Sequence, residues 1–224
     1  MTLLEHPPNA MSFLTLASPS AGFPAPYHPR EFDRLASLVG LRLDEVEGDP
    51  LFDDIAGHAR VLFGAEAGAV TLVREHGETF IGNAGMPHED ASREDSICAH
   101  TILSPEPLVV EDLRADARFA GMVHVVDDAG FRFYAGAPVF DRTGLPLGTV
   151  CVLGRRPRAA SPGALADLRA LASRASVLLE TRRYVVELLG NNPHPVALHK
   201  ALDRLGTVLD PLFTAPAPLL RAAA

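Results

Sequence analysis

The sequence predicts an α+β domain in which helices lie on a single antiparallel sheet. Two apolar stretches read as hairpins, one over residues 69–83 and one over 131–154, and such close connections demand antiparallel pairing. Helical runs precede the first hairpin and follow the second. The long insertion between them, from Gly85 to Gly130, exceeds an ordinary connection and marks a functional cover.

Each element has its own signal. Residues 1–29 hold Pro7, Pro8, Pro19, Pro24, Pro26 and Pro29 and read as a mobile N-terminal arm. Arg30 to Leu38 reads as helix, with Phe32, Leu35 and Leu38 on one side. A second helix starts at Pro50, a good first helical residue after Asp49. It sets Leu51, Ile55, Ala59 and Leu62 on one stripe and ends at Gly64. Ala69 to Arg74 is a strand, His76-Gly77 its turn and Glu78 to Asn83 the returning strand. Ser96 to Leu103 reads as a short helix capped near Asp95 or Ser96. Leu108 to Glu111 is a short strand, and Asp112 to Asp128 forms helical turns and loop. In the second hairpin Pro138 cannot donate to a ladder, so a bulge or strand end is expected there. Ser161-Pro162 opens a long helix that runs to about Leu189, where Gly190-Asn191-Asn192-Pro193 stops it. Its Leu168, Leu171, Ala175, Leu178, Val185 and Leu189 suit packing on a sheet or a seam between two chains, with Arg182 interrupting the apolar row. A further helical stretch spans about Val196 to Phe213. The domain thus covers residues 30–189, and 190–224 form a C-terminal helical extension.

The 224 residues are 47% hydrophobic and carry a formal charge of −8, with Lys200 the only lysine. An acidic chain without a basic cluster is a poor partner for duplex nucleic acid or an anionic membrane. No apolar run reaches the length of a membrane span, and the first thirty residues lack the pattern of a signal peptide. Cys98 and Cys151 form neither a CxxC nor a metal pattern, which places the chain in a reducing, cytoplasmic compartment.

The second hairpin carries Ala135, Gly136 and Ala137 between Phe133 and Phe140, leaving room against the sheet for a helix or a ligand. Alternation puts Phe131, Phe133, Ala135, Ala137 and Val139 on one face and Arg132, Tyr134, Gly136 and Pro138 on the other. The second face has a polar tip, a gap and a cation, so it is expected to line a ligand. Cys98, Thr101, Phe119 and Met122 of the cover should lie opposite Tyr134 and Arg132.

Four blocks in this order resemble a GAF domain of bacterial signalling proteins: Ser96 to Leu103, Pro107 to Phe119, Phe131 to Pro138 and Leu147 to Val152. The resemblance covers about Glu31 to Arg183. It implies a GAF-type, PAS-like central antiparallel sheet of about six strands with helices on both faces. It also implies a small-molecule pocket between sheet and cover, and a homodimer formed through the terminal helices. Members of the family bind cyclic nucleotides, bilins or haem, and the cofactor of this chain is not specified by the motifs. The cyclic-nucleotide pattern needs a lysine that is absent before Lys200, and Ala99 intervenes where bilin binders place a histidine after their cysteine. Arg114, Arg118 and Arg132 are the available cations, either pairing with Asp112, Asp116, Asp127 and Asp128 or anchoring a ligand.

Cys98 and His100, two apart on a short helix, point to different sides and do not make a metal site; His100 is expected to cap or bond locally. If Cys98 and Cys151 both face the pocket, thiol reduction of free methionine sulfoxide is one alternative. A ligand-free dimerisation scaffold is another. The leading expectation is a sensory or regulatory module, not an enzyme, which signals through its dimerised terminal helices; the output is expected from action in trans, from a partner on the last helix, or from a longer protein of which this chain is a fragment.

Overall fold

The computed structural model describes residues 23–41, 49–86 and 91–189. Helices α1 (Glu31–Val39) and α2 (Pro50–Phe63) precede a hairpin of β1 (Ala67–Val73) and β2 (Glu78–Ala84). The cover follows, with a 3₁₀ turn at Arg93–Asp95, α3 (Ile97–Thr101), the short β3 (Leu108–Val110) and α4 (Val123–Val126). The second hairpin, β4 (Phe133–Phe140) and β5 (Pro146–Gly154), leads into the long α5 (Pro162–Leu189).

The sheet among the described residues has five strands in the order β2-β1-β5-β4-β3, all antiparallel to their neighbours, against about six expected. Its two faces bury two separate cores. One holds Val70, Leu72, Phe133, Ala135, Val139 and Val152 against α1, α2 and α5. The other holds Ala69, Val73, Tyr134, Cys151 and Leu153 against the cover.

Local chemistry explains the helix starts. Asp49 accepts a hydrogen bond from the Leu51 amide at 2.8 Å, Pro50 opens α2, and Gly64 closes it in the left-handed region at φ 53°. Ser96 accepts from the Ala99 amide at 3.0 Å, and Ser161 from that of Ala164 at 3.1 Å. Residues 196–213 lie outside the described residues.

Four expectations are corrected. Phe32 does not face the core: it is 86% exposed, and α1 is held instead by Arg34, which is fully buried. The Arg34 guanidinium pairs with Glu31 at 2.7 Å and donates to the carbonyls of Val73 and Leu147, so α1 is seated by charge and hydrogen bonds on the ends of β1 and β5. Pro138 neither ends β4 nor sits in the bulge, which falls between Val139 and Phe140. Pairing with β3 stops at Gly136, so the proline meets no neighbour on that side. Arg182 is not a mere interruption: it is buried, ion-pairs with Asp49 at the start of α2, and stacks 5.4 Å over the Phe52 ring. Finally, part of the expected mobile arm is seated. Ala25 is buried in the cover core, and the Phe23 amide donates to the Arg118 carbonyl at 3.2 Å.

The close seat of α2 depends on two glycines. A Cβ at Gly68 would overlap the Ala56 carbonyl oxygen, and one at Gly82 the Phe52 carbonyl oxygen, one helical turn apart. The obstacle is backbone in both cases, which no rotamer relieves. Gly82→Ala should therefore destabilise the domain by about 1–3 kcal/mol through overpacking, despite the usual gain from removing a strand glycine. Urea unfolding of the two proteins measures the difference.

Candidate functional site

β4 alternates as the sequence indicates, with Phe133, Ala135, Ala137 and Val139 in the helix-side core and Tyr134 in the cover-side core. The gap at Gly136 is occupied, however, by the chain itself. The Tyr134 ring folds over Gly136 so closely that a Cβ there would overlap the phenol oxygen. The hydroxyl then reaches α3, 2.7 Å from Thr101 Oγ1 and 3.6 Å from Cys98 Sγ. Thr101 donates its own proton to the Ile97 carbonyl, so Tyr134 is the donor to Thr101. The sheet and the cover meet at this joint.

Beside it lie the two thiols, Cys98 on α3 and Cys151 on β5, buried, free and 3.8 Å apart. Hydrogen bonding with Cys151, followed by burial, pushes the Cys98 thiol well up. Burial, with Cys98 nearby, does the same to the Tyr134 phenol.

A cavity of about 310 Å³ opens next to the thiols, between the sheet, α3, α4 and the 91–95 turn. Phe80, Met86, Ile97, Phe131 and Leu153 supply its apolar lining, with Cys98, Tyr134 and Cys151 at the joint. Its polar groups are Thr71, Glu78, Ser92, Asp95 and His124. None of the described lining residues is Arg or Lys. Glu78 is buried and accepts from Ser96 Oγ at 2.8 Å. Ser92 Oγ donates to Asp95 Oδ2 at 3.2 Å, while Asp95 Oδ1 is buried with no hydrogen-bond partner. Burial holds His124 below the ordinary imidazole range, only partly opposed by the nearby Asp95 charge.

Of the six residues expected to line a ligand, Tyr134 and Cys98 border this cavity. Thr101, Phe119 and Met122 are buried within the cover, off the cavity wall. Phe119 packs edge-on against the His100 ring, centroids 4.9 Å apart. Arg132 faces away from the cavity. Its guanidinium donates to the carbonyls of Val125, Phe131, Asp127 and Asp128 at 2.8–3.0 Å, gathering the chain where α4 ends. The alternation argument fails for Arg132 because β4 begins only at Phe133. His100 bonds across the fold rather than locally, with Nε2 3.0 Å from the Phe23 carbonyl oxygen. Arg114 and Arg118 ion-pair with Asp128 and Asp116.

Sequence reasoning missed Glu78, Asp95 and His124. Ser96 was legible as a helix cap, but not its second bond to a carboxylate eighteen positions earlier. Among the described residues no three His, Cys, Asp or Glu side chains gather to hold a metal ion, and no helix is long and apolar enough to cross a membrane.

The structure is thus a five-stranded antiparallel sheet with helices on one face and a cavity under a helix-loop cover on the other. The chain belongs to the GAF domain family, a family of sensory and regulatory modules, whose model matches residues 47–179. Residues of the chain are 33% identical over 133 positions to the cyclic di-GMP phosphodiesterase PA2567 of Pseudomonas aeruginosa, covering 59% of this chain and 23% of that protein. The chain therefore spans about a quarter of that relative's length. Among solved structures, the GAF domain of an Acinetobacter phosphoenolpyruvate-protein phosphotransferase superposes with a TM-score of 0.51 at 16% identity, over 69% of this chain and 95% of that one. A type II free methionine-R-sulfoxide reductase from Thermoplasma acidophilum gives 0.50 at 13% identity, over 63% and 96%. These structural likenesses concern the fold.

The shifted groups set the pH dependence of stability. The Cys98 thiol is raised from its ordinary value of 9.0, so its contribution is complete below that value and is lost as pH rises through the folded-state value. His124 and His100 are lowered from 6.5 by burial, so their contribution is present above that value and is lost as pH falls. Urea midpoints should accordingly decline both below about pH 6 and above about pH 9. Cys98→Ala should make the alkaline limb shallower, leaving the part that belongs to the raised Tyr134 phenol, and keep the acid limb in place.

Proposed function

We propose that this chain is a regulatory sensor that binds a small organic molecule in the cavity between sheet and cover and passes its occupancy to the terminal helices. The observation that carries this reading is the cavity of about 310 Å³, at the lower end of the size range of small-molecule sites, with the buried Glu78 and the half-buried Asp95 in its wall. A route outward supports it. Arg93 stands between the cavity residues Ser92 and Asp95, and its Nη1 lies 3.0 Å from Glu31 of α1 and 2.8 Å from the Arg74 carbonyl. A shift of the cavity rim thus acts directly on α1. The ligand must favour one position of the rim over the other, since binding both equally moves nothing.

The helices pair with a second copy in this proposal and present the output to a signalling partner. Phe32 and Val39 are exposed seven residues apart on α1, and Val177 and Tyr184 seven apart on α5. Such spacing forms a seam along one side of a helix. The free thiol pair at 3.8 Å supports a reducing, cytoplasmic setting.

A regulatory role is proposed in preference to thiol catalysis. Attack on a sulfoxide needs a thiolate, and Cys98 is held in its neutral form. The phosphodiesterase activity named for the Pseudomonas relative belongs to a protein about four times as long as the matched region, and no hydrolytic step is assigned to this chain.

A thermal-shift screen of the full chain against a metabolite panel tests the sensing role. A true ligand at a hundredfold excess over its Kd should raise Tm by roughly 5–10 °C. Ala91→Trp, which brings a large ring into the cavity lining, should abolish the shift. A bare chain in native mass spectrometry and no shift across the panel would leave the dimerisation scaffold as the reading. Sedimentation tests the pairing: the wild type should run as a dimer, and the double variant Val177→Glu, Tyr184→Glu as a monomer.

A further inference from the structure

We infer that the ligand of this cavity is an organic cation, a protonated amine carried on an apolar body. This inference rests on the sensing role proposed above and adds the chemistry of the ligand. The lining divides into two kinds of wall. Phe80, Met86, Ile97, Phe131 and Leu153 offer apolar contact for a ring or short chain. The 91–95 turn and the start of β2 offer two carboxylates, Asp95 and Glu78.

The carboxylates are held together by the backbone rather than scattered. The Glu78 amide donates to the Ala91 carbonyl at 3.1 Å, and the Glu78 carboxylate is bonded by Ser96, the neighbour of Asp95. One oxygen of this pair is ready for a donor, since Asp95 Oδ1 is buried without a partner. An N–H group placed there would satisfy it, and Glu78 lines the same cavity as a second carboxylate.

An anionic ligand meets the opposite environment. No described lining residue is Arg or Lys, and His124 is kept neutral by burial. The arginines just outside bond in other directions, although Arg93 is held through Nη1 alone and its Nε and Nη2 are buried without a partner. Arg93 is paired with Glu31, Arg132 is bonded to four carbonyls, and Arg155 stacks on the Phe131 ring at 5.3 Å. A phosphate or carboxylate would therefore lose its water to face Asp95 and Glu78.

Three probes of one shape separate charge from size: phenethylamine, 2-phenylethanol and 3-phenylpropionate, titrated calorimetrically into the full chain near pH 7. Phenethylamine should bind at least about tenfold tighter than either of the others, the scale of one charge-assisted hydrogen bond. Asp95→Asn and Glu78→Gln should each weaken the amine by about tenfold and leave 2-phenylethanol within about twofold. If Glu78→Gln does not fold, Asp95→Asn and the three-probe comparison carry the test. Equal or tighter binding of the acid or the alcohol overturns the charge assignment while leaving a ligand-binding cavity. Amine affinity unchanged in both variants overturns it as well. Absence of binding by all three probes also overturns it, and the metabolite panel then decides separately whether the cavity binds anything.

Discussion

The contact on which the arrangement depends is the fold of the Tyr134 ring over Gly136. Without a side chain at Gly136 the ring lies against the strand and sends its hydroxyl to Thr101 on α3. That single donor ties a central strand to the cover helix, with the thiols of Cys98 and Cys151 packed beside it. With the joint closed, the space under the cover is confined to one side of it, between the sheet and the 91–95 turn. A buried phenol with a satisfied hydroxyl thus divides the cover side into a packed half around Phe119 and Met122 and an open half around Glu78 and Asp95.

Charge does the corresponding work at the edge. Glu31 of α1 pairs with both Arg34 and Arg93, and these two guanidiniums reach the carbonyls of Val73, Leu147 and Arg74. The first helix, the sheet ends and the cavity rim therefore share one buried ion network. Removing one member would leave another charge unpaired, so the network couples these parts more tightly than apolar contact alone. Arg182 plays a similar part on the opposite side, joining α5 to the start of α2 through Asp49.

Much of this fold was legible in the sequence. Both hairpins, the caps at Asp49, Ser96 and Ser161, the stop at Gly64 and the inward face of Tyr134 follow from short-range pattern, because pleat, cap and turn chemistry act within a few residues. The candidate site was less legible. Tyr134 and Cys98 border the cavity, but Arg132 turns away because the strand has not yet begun, and Thr101, Phe119 and Met122 pack within the cover. Glu78 looked like an ordinary strand start after a turn, and nothing near it in sequence marks a partner at Ser96. Phe32 and Arg34 exchange their expected places because a guanidinium that finds an anion and two carbonyls can be buried, while an apolar ring two residues away can remain exposed.

By itself, then, the sequence determined an antiparallel sheet, its flanking helices, a large cover and membership of a sensory family, since each depends on periodicity, local capping or ordered motifs. The tertiary structure alone decided what fills the gap at Gly136, which residues face the cavity and what charge that cavity carries. Those outcomes depend on contacts between residues far apart in the chain, Tyr134 with Thr101, Glu78 with Ser96 and Glu31 with Arg93, whose distances only the folded backbone sets.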